Sequence, residues 1–230
     1  MGINFIVSPP PSISTQSNLR FQQSLDENGI EIGQTMRGEQ EITLIRKLPN
    51  RLEIKIARLS IQAAAPSSRL PNTGQLLILA PGPGSSCGMF VREVQAVVSA
   101  FNSTWPVKSR QILKCDATFR DLYETSAEHA FQELWEMRLN QPKEALEVFK
   151  RPVLGGGLRL VMPPKQGEDE PIEIELKIES FFRDTKKIYI ETTFRWLQPV
   201  LAETQMDTKG RLERIYAFVE DEVQSFVTGG

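Results

Sequence analysis

Residues Ile172 to Trp196 constrain this chain more tightly than any other stretch. Ile172, Ile174, Leu176 and Ile178 alternate with Glu173, Glu175, Lys177 and Glu179. Asp184-Thr185-Lys186 then supplies a turn, and Ile188, Ile190, Thr192, Phe194 and Trp196 alternate on the return. A period of two places all the apolar side chains of a strand on one face. The pair therefore predicts an antiparallel hairpin with one buried face and one charged face, which needs helices or a second layer to cover it.

The same logic extends along the chain. Ile3–Ser8 predicts a short strand stopped by Pro9, Pro10 and Pro11, which offer no ladder donors. Ser17–Glu27 predicts a helix with Leu19, Phe21 and Leu25 as apolar positions, punctuated by Asn28-Gly29. Ile30–Thr35 and Glu41–Leu48 read as strands about the Arg37-Gly38-Glu39 turn. Leu52, Ile54 and Ile56 alternate with charged residues, and the change of parity at Leu59 and Ile61 predicts a β-bulge near Arg58. Pro66–Gly74 reads as a loop, Leu76–Leu79 as a central strand, and Phe90, Val94, Val97, Val98 and Phe101 as the stripe of a helix that ends by Pro106.

The second half repeats this order. Arg110–Phe119 predicts a strand, and Thr125 with Glu128 predicts a capping box for a helix burying Ala130, Phe131, Leu134 and Trp135. Pro142 opens a further helical turn through Phe149, and Gly155-Gly156-Gly157 leads into the strand Leu158–Met162. Leu212, Ile215, Tyr216, Val219, Val223 and Phe226 form the stripe of a last helix. The fold expectation is α+β: a mainly antiparallel extended sheet from two similar halves, 1–106 and 107–230, packed as one globular unit with long helices on one face.

Composition excludes some classes. The formal net charge of −2 over 230 residues lacks the basic excess that phosphate binding requires, which argues against a nucleic-acid partner. Two cysteines, Cys87 and Cys115, make no disulfide framework and suit a reducing cytoplasm. Met1–Pro11 lacks the pattern of a signal peptide, and no apolar run is long enough to insert in a membrane.

Chemical motifs are weak. Gly82-Pro83-Gly84-Ser85-Ser86 lies between a strand and a helix, where phosphate loops occur, but Cys87-Gly88 replaces the required Lys and hydroxyl residue. It reads as a turn with Ser85 or Ser86 as N-cap. His129 is the sole histidine and reads as a solvated surface residue, with no second group to hold it as a base. Cys87 sits near a helix start, where a thiol pKa can fall, but a small residue among glycines and serines is the simpler reading. Glu173, Glu175 and Glu179 read as a solvated sheet face. No catalytic set, metal site or cofactor fingerprint is expected. Arg183, Lys186, Lys187 and Tyr189, beside Phe181 and Phe182, form the one cluster of interface-type residues, at the hairpin tip.

The functional expectation is a non-enzymatic intracellular, cytoplasmic protein-binding or assembly partner, with Arg183, Lys186, Lys187 and Tyr189 as the partner-binding residues. Two alternatives are a small-molecule binder or enzyme with a pocket between sheet and helix, lined by Trp135, Phe194 and Trp196, and a nucleic-acid binder on the open sheet face.

Overall fold

A computed structural model describes residues 1–59, 72–82, 86–201 and 207–228. The chain is α+β, and its strands form a mainly antiparallel sheet. It divides into two compact units. Unit 1 comprises 1–117 and 195–213; unit 2 comprises 118–194 and 214–230. The boundaries thus fall at 117/118, 194/195 and 213/214, where the sequence suggests one break at 106/107.

Unit 1 holds β1 (Gly2–Ser8), α1 (Thr15–Glu27), β2 (Gln34–Arg37), β3 (Glu41–Arg46), β4 (Leu52–Leu59), β5 (Thr73–Leu79) and α2 (Cys87–Thr104). The first half of β6 (Gln111–Glu124) follows, and β10 (Val200–Leu201) pairs with its start. The strand order is β2-β3-β4-β5-β1-β6. Register places Ile54 opposite both Leu44 and Ile78, and Ile3 opposite Ile78. One parity is therefore a continuous buried aliphatic face. The sequence places β5 centrally, and it lies between β4 and β1.

The helices of unit 1 end as their sequences dictate. Ser14 caps α1 by accepting the Ser17 N–H at 3.1 Å, and the Ser17 hydroxyl accepts the Ser14 N–H at 2.9 Å. Ser86 caps α2 by accepting the Met89 N–H at 3.2 Å. Leu19 is exposed, and Asn18 takes the buried position beside Phe21 and Leu25. The Phe101 and Trp105 rings meet at 5.2 Å, and Trp105 meets Phe21 at 5.3 Å, locking α1 to α2.

Two strand expectations need correction. Ile30–Gly33 is not strand; β2 begins at Gln34. The β4–β5 pairing runs unbroken from Glu53↔Leu79 to Leu59↔Thr73, so no bulge occurs at Arg58, and Ile61 lies outside the described residues. Ala57 is buried and Leu59 half-buried on the parity opposite Ile56, so apolar residues occupy both parities there without a bulge.

Unit 2 holds the second half of β6, α3 (Ala130–Gln132) with its π-helical continuation Glu133–Arg138, a 3-10 helix (Lys143–Phe149), β7 (Gly157–Met162), β8 (Ile172–Ser180) and β9 (Lys187–Trp196) as far as Phe194. The order is β6-β9-β8-β7. The chain's last helical stretch is α4 (Thr208–Phe218), whose residues to Glu213 belong to unit 1, then a π turn (Val219–Val223) and α5 (Gln224–Thr228).

The core of unit 2 joins Leu176, Ile178, Ile188 and Ile190 from β8 and β9 to Ala130 and Leu134 and to Val223 and Val227. Helices thus cover the apolar face that the alternation demands. The last helix departs from expectation in one respect: Val227 is buried and Phe226 is 40% exposed. A π turn inserts about one extra residue per turn, so the stripe Leu212, Ile215, Val219, Val223 advances to Val227.

Candidate functional site

The hairpin tip is closed by its own backbone. The Phe181 N–H donates to the Lys187 carbonyl at 2.7 Å, and the Lys187 N–H to the Asp184 carbonyl at 3.0 Å. Asp184 Oδ1 accepts the Lys186 N–H at 3.0 Å, a local turn that Asp favours. The tip is also pinned from outside, because the Thr125 and Ala130 N–H groups donate to the Lys186 and Thr185 carbonyls at 2.9 and 2.8 Å.

The four candidate residues have different surroundings. Lys186 Nζ donates to the Ala127 carbonyl at 3.1 Å. Lys187 pairs with Asp184 at 3.4 Å. The Tyr189 hydroxyl donates to Glu191 at 2.9 Å, and its ring stacks on Phe181. Arg183 is exposed, and its neighbour Phe182 is 99% exposed. The outward pair at the tip is therefore Phe182–Arg183. The sequence shows Phe182 beside the cluster but gives no sign that Phe181 folds back while Phe182 stands clear.

The segment that pins the tip also borders a cleft. Glu133, not Glu128, completes the polar start of α3: its carboxylate accepts from the Thr125 hydroxyl and from the Ser126 N–H at 2.9 Å. Arg138 donates to the other oxygen at 2.8 Å. Burial pushes the Glu133 carboxyl up, but the donors Thr125, Arg138 and Ser126 more than offset this and hold it below its ordinary value. His129 occupies the N-cap position and makes no side-chain cap bond.

Beyond it, Phe131 and Trp135 stack at 6.0 Å, and Trp135 Nε1 donates to the Pro142 carbonyl at 3.1 Å. These aromatics, with Leu146, Val153 and Leu154, line a cleft of about 480 Å³. It lies between α3 and its π continuation on one side and the 143–154 segment on the other. Gly156 abuts the aromatic wall, since a Cβ there would stand 2.7 Å from the Phe131 ring. Acidic Glu128, Glu136, Glu144 and Glu147 and basic Lys143 and Arg151 also line it.

The 143–154 segment is poorly covered, as are β2 and β7. Its 3-10 helix buries no residue. Val148, Phe149 and Leu154 are 74%, 63% and 76% exposed. Leu154 also lines the cleft, whereas Val148 and Phe149 stand on the 3-10 helix outside that lining.

On the sheet face opposite the core, Glu179 is exposed as expected, whereas Glu191 and Glu175 are tightly paired. Glu191 accepts from Lys177 Nζ and Arg120 Nε, both at 2.7 Å, and from Tyr189. Burial raises its pKa, but these three donors outweigh burial and bring the carboxyl down to about 2. Glu175, expected to be solvated, is buried and accepts Arg159 Nε at 2.7 Å.

Other sequence candidates remain apart. His129 is exposed and lines the cleft rim. Cys87 is half-buried at the start of α2, and Cys115 is buried. Phe194 and Trp196 are buried, and of the three expected pocket aromatics Trp135 lines the cleft. Residues 83–85 of the glycine-rich stretch lie outside the described residues. Among the described residues no cluster of His, Cys, Asp and Glu fits a metal ion, and no helix is long and apolar enough to cross a membrane.

Comparison with protein-family models and with curated proteins gives no match. Among solved structures, the chain is similar to the di-domain ARO/CYC BexL from the BE-7585A biosynthetic pathway. The TM-score is 0.23 at 10% identity, over 99% of this chain and 96% of that one. A likeness at this score carries no argument about function.

Proposed function

We propose that this protein is a non-enzymatic, cytoplasmic binding or assembly partner that docks another protein on unit 2. The observation that carries this reading is the 3-10 helix Lys143–Phe149, which buries nothing while Val148, Phe149 and the neighbouring Leu154 stand exposed. A short 3-10 helix has poor hydrogen-bond geometry and gains little stability by itself. An apolar set held in this way gains its burial when a partner covers it, at roughly 25 cal/mol per Å² of apolar surface removed from water.

The hairpin tip adds the residue types that dominate interface energies, an aromatic and an arginine, at Phe182 and Arg183. The tip and the cleft meet at 127–130, where Lys186 binds the Ala127 carbonyl and Glu128 and His129 line the cleft. A pull-down from the native host tests the reading. Wild-type protein should recover a defined partner that Phe149→Ser with Leu154→Ser loses, and that Phe182→Ser weakens. Equal recovery by all three proteins would contradict it.

A second reading has a specific observation behind it. A cleft of about 480 Å³ with a stacked Phe131–Trp135 wall lies within the size range of small-molecule sites. Under this reading an aromatic ligand would quench Trp135 fluorescence and raise the melting temperature, and Phe131→Ala would abolish both effects.

A further inference from the structure

We infer that the outer edge of β7 is a strand-addition site for an extended peptide segment carrying an acidic residue between apolar ones. Hydrogen-bond parity fixes which backbone groups of β7 face outward. The Ser180 N–H donates to the Gly156 carbonyl at 2.9 Å, and register continues from Gly157↔Glu179 to Met162↔Ile174. In an antiparallel ladder, residues alternate between pairs that exchange both backbone bonds and pairs that exchange none. Residues 158, 160 and 162 therefore bond to β8, and the N–H and C=O groups of Gly157, Arg159 and Val161 point away from it. β7 ends the strand order, and no backbone bond from these three residues to another element occurs among the described residues.

An open row of this kind is a template for another strand. Edge strands elsewhere are blunted by shortness, as at β2, which has four residues. β7 has six, with Leu160 39% and Val161 53% exposed.

Side chains along the edge state what the occupant must carry. Arg159 is 66% exposed on the outer face, and its Nε is bonded to Glu175, so the two Nη groups remain for a second carboxylate. Leu158 and Leu160 lie on the other face. A residue opposite Arg159 is thus favoured as Asp or Glu, and its neighbours in the added strand as apolar. A second copy of this chain is disfavoured, because symmetric pairing about the middle of the edge sets Arg159 against Arg159, and like charges directly opposite destabilise a pair.

Selection from a phage-displayed library of random linear dodecapeptides tests this, followed by affinity measurement with the enriched peptides. They should carry an acid between two apolar residues. Val161→Pro deletes one outward N–H and leaves the bonds to β8 intact, and proline is tolerated on edge strands. It should weaken binding about tenfold or more, the size of one lost backbone bond with its steric block. Arg159→Glu should reverse the charge preference. Should Val161→Pro fold poorly, N-methylation of the peptide backbone removes the same bond from the other side. No enrichment, or affinity unchanged by Val161→Pro and by N-methylation, would overturn the proposal. So would a dimer that Val161→Pro dissociates. Binding unchanged by Phe149→Ser and Phe182→Ser separates this edge from the apolar surface above.

Discussion

Lys186 Nζ donates to the Ala127 carbonyl at 3.1 Å, whereas Arg183, three residues earlier on the same tip, points to solvent. Two cations that look equivalent in sequence thus have different consequences. Arg183→Glu should weaken partner binding at low salt and leave the melting temperature within a degree or two, since exposed substitutions cost about 0.5 kcal/mol or less. Lys186→Ala should lower stability by about 0.5–1.5 kcal/mol through loss of one hydrogen bond. Thermal melts and binding assays on both variants check this. A stability loss in Arg183→Glu larger than in Lys186→Ala would count against it.

Glu191 predicts a pH dependence. Its pKa is depressed from 4.5 to about 2 in the folded protein. Its contribution is therefore fully present above about 4.5 and is lost as pH falls toward 2. Glu191→Gln should cost roughly 1–3 kcal/mol at pH 7, the scale of hydrogen bonds to a charged group. The gap between wild type and variant should shrink below pH 4. Urea unfolding at pH 7 and pH 3 measures it, and a gap independent of pH would contradict the assignment.

The π turn Val219–Val223 makes an inverted prediction about size. Phe226 is larger than Val227, but Val227 is the buried residue. Val227→Ala should destabilise the protein by about 1–2 kcal/mol, while Phe226→Ala should cost less than about 0.5 kcal/mol. Chemical denaturation of the two variants decides it, and the opposite ranking would mean the stripe runs through Phe226.

Gly156 is the close approach that holds the cleft wall. Its added Cβ would meet the Phe131 ring at 2.7 Å. Gly156→Ala should displace Phe131, destabilise unit 2 by about 1–3 kcal/mol as overpacking does, and shift Trp135 emission. An unchanged emission spectrum with unchanged stability would show the ring is free to move aside.

Much of the fold was legible because its signals are local and periodic. The β8–β9 alternation, the α2 stripe and the Ser86 cap each follow from neighbours in sequence. What escaped is set by long-range packing. The π turns change helical phase without any residue that announces them. Glu175 resembles its exposed neighbours until β7 brings Arg159 across from it. Thr125 finds its carboxylate in Glu133, eight residues on, rather than in the expected Glu128. The tip cluster was visible as residue types, but its division into bonded Lys186, Lys187 and Tyr189 and outward Phe182–Arg183 depends on which carbonyls fold within reach. The 143–154 segment carries an ordinary mix of apolar and charged residues, and nothing in that mix signals that its 3-10 helix buries no residue.

Site-specific photo-crosslinking reports whether a protein docks on unit 2. A benzophenone amino acid placed at Phe149 or at Phe182 should yield discrete protein adducts in the native host, and the same partner at both positions. A control at Lys55, on β4 of unit 1, should yield none. Adducts at Lys55 as strong as those at Phe149, or none at Phe149 and Phe182, would contradict docking of a protein on unit 2.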